Sequence, residues 1–249
     1  MKKSLNYSIV LVLGVVSLMA CENEGYHYQD TLARINLYEK IIGSYNAIFQ
    51  VDSLPLFSFG RYNDEVTEDT VYFTAWITGR ATRENREFVL EAVTELTTVS
   101  ASDYKIGTTV IPAGEFSAKV PIILQRKVTG IDLTDVENGA KAHLTLRHVP
   151  NTHFLSGALT EFNITWCDYL TKPASWSVMI TAQIGPFSKA RYRFYIDFTG
   201  EMEFTKYGVL PNAQALLFAL RKALEEYNAL ADLEGRPHYK DDDGTDLTF

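Results

Sequence analysis

The chain has 249 residues, 46% of them hydrophobic, and a formal net charge of −8. That length and apolar content supply one large core or two small ones and exclude a disordered chain. The acidic balance repels phosphate backbones, so no nucleic-acid partner is expected. Aromatic residues make up 12%, with 14 Tyr and 14 Phe, which favours β structure and ligand-touching surfaces.

Residues 1–20 read as a leader. Lys2 and Lys3 supply a positive start, and Ile9 to Ala20 is an apolar run shorter than the ~20 residues a membrane span needs. The run ends Leu18-Met19-Ala20-Cys21, which resembles the bacterial lipobox. The resemblance implies cleavage before Cys21 and a lipid on its sulfur; the alternative is an ordinary secretory peptide that contains a cysteine. Glu22 and Glu24 follow, similar to the acidic residues that mark surface export in Bacteroidetes lipoproteins. Residues 21–32 are then a lipidated tether. Cys167 remains the single free thiol, so no internal disulfide is expected, and its alternating surroundings (FNITWCDYL) make it a small hydrophobe rather than a nucleophile.

Residues 33–170 carry strand periodicity. Ala33–Tyr38 is the first strand, with Ile35 and Leu37 two apart. Gly43 to Asn63 is irregular, a strand and loop rich in aromatics. In Thr70–Thr78, Val71, Phe73, Ala75 and Ile77 form one face and Tyr72, Thr74, Trp76 and Thr78 the other. Arg86–Leu96 reads as one strand with Phe88, Leu90 and Ala92 inward, leaving Glu87, Glu91 and Glu95 to solvent. Lys105–Val110 and Ser117–Gln125 flank Ile111-Pro112-Ala113-Gly114, where Pro in second place and Gly in fourth fit a type I turn. Pro121 lacks a donor, which places its strand at an edge or a bulge. Lys141–Val149 and Glu161–Tyr169 add two more strands at sandwich spacing.

The pattern changes in residues 171–249. Trp176–Gln183 is short, with Trp176, Val178 and Ile180 alternating. Ser188 to Phe198 fits both periods, and Ser188 as an N-cap with Gly200 as a stop favours helix. Residues 212–231 are an amphipathic helix behind Pro211, with Leu216, Leu217, Leu220, Leu224 and Tyr227 in its stripe. The expected fold is therefore mainly β, a β-sandwich followed by a smaller, partly helical C-terminal region packed on it.

Asp103-Tyr104, Val110 to Glu115 and Ser117–Leu124 together resemble the Calx-beta type of immunoglobulin-like module. The whole mature chain resembles a family of uncharacterised Bacteroidetes outer-membrane lipoproteins. The shared marks are Lys172, Pro173 and Trp176, then Gly185 to Phe194 (GPFSKARYRF), then an acidic tail with Asp243, Gly244 and Phe249. The resemblance implies a surface-exposed, lipid-anchored protein of the outer membrane, often encoded beside glycan uptake systems. It brings no catalytic residue.

The remaining constellations argue against chemistry. The tail fails as an EF-hand, because aligning Gly244 with the invariant glycine puts Tyr239 at position one and runs position twelve past Phe249. Asp103, Asp132 and Asp135 are too sparse for a calcium cluster and read as solvated acidic turns. His143, His148 and His153 are spaced by five, which sends the first two to opposite faces. No nucleophile elbow, zinc-protease helix or phosphate loop occurs. No catalytic residue, metal site or cofactor is expected. One binding feature stands out: Tyr72 and Trp76 on the polar face of one strand, a surface on which a sugar ring could stack. The competing reading is that the helical tail covers both; Trp166 and Trp176 read as packing residues. The expected function is a non-catalytic surface lipoprotein that binds glycan or serves an uptake complex; an adhesion protein is the alternative, and a hydrolase the weakest reading.

Overall fold

The computed structural model describes residues 32–42, 47–204, 210 and 212–249. The leader, Cys21, most of the tether with Tyr26 to Tyr28, Tyr45 and Pro211 lie outside the described residues. The strands are β1 (Ala33–Leu37), β2 (Glu39–Ile42), β3 (Ile48–Val51), β4 (Phe57–Ser58), β5 (Glu68–Thr78), β6 (Arg86–Glu87), β7 (Val89–Ala92), β8 (Tyr104–Ile106), β9 (Val110–Ile111), β10 (Ser117–Gln125), β11 (Ala142–Val149), β12 (Phe154–Ser156) and β13 (Glu161–Cys167). Three helices follow: α1 (Val178–Ile184), α2 (Lys189–Thr199) and α3 (Ala213–Glu234).

One sheet runs β12-β1-β5-β10-β8 and a second β4-β13-β11-β7. Their apolar faces meet: Val71, Phe73, Ala75 and Ile77 of β5 and Val120, Ile122 and Leu124 of β10 are buried against Leu144, Leu146, Phe162, Ile164 and Trp166 of the other sheet. Phe73 and Phe162 stack across the layer at 4.4 Å between centroids. The architecture is mainly β, a two-layer sandwich with its helices at the C-terminal end.

Several local expectations are corrected. The turn at the hairpin tip sits one residue later than the sequence implies. Glu115 N donates to Pro112 O at 3.1 Å, so Ala113 and Gly114 are the central residues. Gly114 has φ +79°, the conformation a type II turn requires at that position, and glycine reaches it without steric cost. Pro121 is not on an edge strand, because β10 lies between β5 and β8. Its carbonyl accepts from Gly107 N at 2.8 Å where β8 ends, so its missing donor costs the sheet one terminal bond. A Cβ on Gly107 would lie 2.5 Å from the Pro121 ring, so glycine there makes room for it. The Arg86–Leu96 segment is not one strand. β6 pairs with β9, the chain breaks at buried Phe88, β7 joins β11 in the second sheet, and Thr94–Leu96 is a 3-10 turn. Period-two burial persists through the break, which is why the sequence reads as continuous.

The C-terminal region builds a second core around Trp176, which meets Phe187, Tyr192 and Phe204 edge-on. The alternation at Trp176–Gln183 is misleading, for α1 is a helix capped by Ser177 Oγ. It buries Ile180 and Ile184, four apart, and exposes Val178. α2 starts on Ser188 and stops at Gly200 (φ +73°), and α3 lays Leu220 and Leu224 into this core.

The acidic tail has a structural use. The Asp242 carboxylate accepts from Lys189 N and Ala190 N at 2.7 and 2.9 Å, filling the positive end of α2. Buried Arg191 donates to Pro186 O, to Thr248 O at 3.1 Å and to Asp241 at 3.0 Å. Phe249 packs 5.5 Å from Phe194. The two sequence marks at Gly185 to Phe194 and at the tail therefore form one clasp. Sandwich and helical region meet at Gly60 and Arg61, whose carbonyls accept from Arg193 while Arg61 pairs with Glu203.

Candidate functional site

The outer face of β5 presents Tyr72, Thr74 and Trp76, and the chain leaving β1 folds beside it. β2 and β3 form a two-stranded ribbon in antiparallel register, Ile41 opposite Phe49. Tyr38 N donates to Thr74 O at 3.3 Å, and Thr74 Oγ1 donates to the Glu39 carboxylate at 2.7 Å. These bonds hold the base of the ribbon against the strand.

Tyr72 and Trp76 fare differently. Trp76 stacks with Tyr38 at 5.5 Å and 13°, its Nε1 donates to Tyr38 O at 3.0 Å, and the Lys40 ammonium sits 3.6 Å from its ring centroid. Its π surface is already engaged, by a stack and by a cation–π contact. Tyr72 is 53% exposed. Its cross-strand neighbour is Pro121, a flat apolar side chain. Among the described residues none of the helical region lines the Tyr72 groove, and what partly covers Trp76 is the start of the ribbon. A flat Tyr–Trp platform is thus replaced by a single exposed ring.

That ring borders a groove of about 450 Å³. Ile41, Val51, Leu54 and Pro55 give it apolar walls, and Glu39, Lys40 and Ser53 give it a polar rim. An aromatic floor with a few polar groups at the rim is the composition that receives a sugar ring, whose C–H face is apolar and whose edge is hydroxylated. Glu39 is the one carboxylate among the groove's lining residues.

The other candidates are structural. Asp103 is 4% exposed and accepts from Ser100 N, Ser100 Oγ, Ser102 Oγ and Thr129. Burial alone would raise its pKa, but these donors outweigh it and hold the carboxyl below its ordinary value. Asp132 and Asp135 bond Thr134 and Asn138 within their own turns. His143 bonds Thr165 and Thr145, while His148 is buried and bonds Ser156. No group of three His, Cys, Asp or Glu positioned to hold a metal occurs among the described residues. Cys167 is buried, and desolvation pushes its thiol up, away from reactivity.

Sequence reasoning missed the ribbon. Glu39 to Val51 has no clean alternation, because both faces of a two-stranded ribbon are partly solvated, so neither parity is purely apolar. The one usable signal was Gly43-Ser44, residue types that favour turns, between two short apolar runs.

Residues 26–201 match a domain of unknown function (DUF4843). The chain belongs to that family. Among solved structures the chain is similar to a candidate carbohydrate binding protein from Bacteroides ovatus ATCC 8483. The identity is 14% over 54% of this chain and 37% of that one, with a TM-score of 0.34. It is also similar to a two-domain protein of unknown function from Bacteroides fragilis NCTC 9343, at 13% identity over 55% and 45% of the two chains and a TM-score of 0.35. The matched stretch spans less than half of either neighbour. No curated protein matches the sequence.

Proposed function

We propose that this DUF4843 chain is a non-catalytic, lipid-anchored module of the bacterial outer-membrane surface that binds extracellular glycan at Tyr72. The observation that carries this reading is the exposed Tyr72 ring beside a groove with apolar walls and a polar rim. Trp76 is the positioning residue, stacking on Tyr38 and holding Lys40 beside the groove. The single carboxylate among the groove's lining residues supports binding over hydrolysis, since glycoside cleavage uses two, about 5–10 Å apart. The anchor is Cys21, twelve residues before β1.

Retention of the full chain on immobilised polysaccharides tests the reading. Tyr72→Ala is expected to lose retention by about tenfold or more, as stacking on one aromatic accounts for roughly that factor. Tyr72→Phe keeps it. Retention unchanged in Tyr72→Ala, or turnover of any bound glycan, would refute the proposal. Anchoring is checked by a gel shift and lipid labelling that Cys21→Ser abolishes.

A protein partner, such as an uptake complex, is the second reading. It is favoured by Ile41, Ile48 and Phe49, all about half or more exposed on the ribbon. Ile48→Glu with Phe49→Glu would break such assembly and leave glycan retention intact.

A further inference from the structure

A cleft of about 700 Å³ lies where the two cores meet. It shares no lining residue with the Tyr72 groove: Tyr62, Asp64, Arg126 and Asp168 form its sandwich side, and α2, α3 and the tail form the other. Four tyrosines line it, Tyr62, Tyr169, Tyr227 and Tyr239. Tyr227 and Tyr239 meet edge-to-face at 5.3 Å.

Its charge runs against that of the chain. Arg126, Lys189, Arg193 and Lys240 line the cleft with His238, against Asp64, Asp168 and Asp242. A chain of net charge −8 thus gathers a small local excess of cations in a broad, open cleft. Each of the three acids has a partner, although Asp168 keeps one buried oxygen without a hydrogen bond and Asp64 stays solvent-exposed. Arg126 donates to Asp168 at 2.8 Å and to Asp64 at 3.3 Å, and Asp242 caps α2 with both oxygens. Most of the cations are spent as well: Arg126 on these acids, Arg193 on the carbonyls of Gly60 and Arg61, and Lys240 and His238 on Asp246. Lys189 is the exception. It is exposed, and its ammonium has no partner among the described residues.

We infer that this cleft is a second binding site, for an acidic sugar whose pyranose ring lies among the tyrosines and whose carboxylate pairs with Lys189. The free cation is a single point charge, while the forked guanidinium groups are committed, which matches a monoanionic carboxylate better than a phosphate. Arg236 lies 4.5 Å over the Tyr227 ring, so the sugar ring is placed against the remaining tyrosines, and that aromatic lining matches a sugar better than an acidic peptide. The site does not depend on the Tyr72 reading.

The test is calorimetric titration of the full chain with an oligogalacturonate and with its methyl ester, which has the same backbone without the charge. The expected result is binding of the acid form that weakens with salt, the ester at least about tenfold weaker. Lys189→Ala is expected to lose about tenfold and Lys189→Arg to retain binding. The helix cap uses only the Lys189 backbone N–H, so the fold survives the change, which an unaltered melting curve verifies. Equal affinity for acid and ester, an unaffected Lys189→Ala, equally tight binding of polyglutamate, or no binding of the acid form would each overturn the proposal.

Discussion

Arg191 is the side chain on which the C-terminal clasp depends, and its removal has a computable consequence. The guanidinium is 6% exposed and bonds Pro186 O, Thr248 O and Asp241. Arg191→Ala leaves two carbonyls without their donor and strands the Asp241 carboxylate, whose side chain is only 16% exposed. Removing one partner of a buried pair costs about 3–5 kcal/mol, and the partial exposure of Asp241 puts the loss near the lower end, ~3 kcal/mol. At roughly 2–4 °C per kcal/mol for a chain of this size, melting falls by about 6–12 °C. The assay is urea unfolding followed by fluorescence, with Trp176 in the second core and Trp166 in the first. The Trp176 signal should move to lower urea while that of Trp166 stays, and limited proteolysis should cut first after Arg236 and Lys240. Arg191→Lys keeps the charge but loses the fork, and should fall between. A loss below about 1 kcal/mol, or a parallel shift of both tryptophans, would show that the tail is held by its apolar contacts and not by this arginine.

Gly60→Ala should be severe, because its Cβ would lie 2.3 Å from Tyr169 C and 2.4 Å from Leu170 N, backbone atoms that cannot step aside. A cost of about 1–3 kcal/mol is expected by differential scanning fluorimetry. His148 should make the sandwich acid-sensitive. Burial lowers its pKa below the ordinary 6.5, so its contribution is complete above that value and is lost as pH falls through it toward the folded pKa. His148→Gln should flatten the melting temperature between pH 7 and 5, and an unchanged slope would sink the assignment. His238 works in the opposite sense. Hydrogen bonds that the protonated ring donates to the Asp232 and Asp246 carboxylates raise its pKa, so its support is present below 6.5 and fades as pH climbs through the raised value. Tail release on raising the pH, measured by proteolysis, checks it.

The sandwich was legible because one face of each main strand is dry. Val71 to Ile77 and Phe162 to Trp166 keep strict parity, and parity survives ignorance of partners. α2 was legible from its Ser188 cap and Gly200 stop, although its residues fit both periods, and α3 from its apolar stripe. What failed was whatever depends on a partner. The type II turn is set by the tip bonding to Thr82 and Asn85, with Gly114 N on Thr82 O and Ala113 N on Asn85 Oδ1 at 2.8 and 2.9 Å. Pro121 is tolerated inside the sheet because of Gly107, fourteen residues away. Trp76 could not be told from Tyr72 by position, since both sit outward. The difference comes from Tyr38 and Lys40, which belong to another strand connection. The junction cleft draws on residues from Tyr62 to Asp242, and no local pattern records such an assembly.

The extent of the family match bears on what folds as a unit. The matched stretch closes at residue 201, one position past the glycine that stops α2. Yet the buried face of α2 is completed by later residues. Phe194 packs on Tyr239 at 5.1 Å and on Phe249, Tyr192 shares its core with Leu220, Leu224 and Leu247, and the N-terminus of α2 is capped by Asp242. A chain cut at residue 201 would expose Tyr192 and Phe194 and leave buried Arg191 without Asp241 or Thr248. In this chain the second core is therefore a cooperative structure of residues on both sides of that boundary. The sequence marks at Gly185 to Phe194 and at the tail are the two halves of one contact, so a substitution in either half should be relieved by a matching change in the other. An Arg191→Met chain should recover part of its stability with Asp241→Leu, whereas Asp241→Leu alone should lose it.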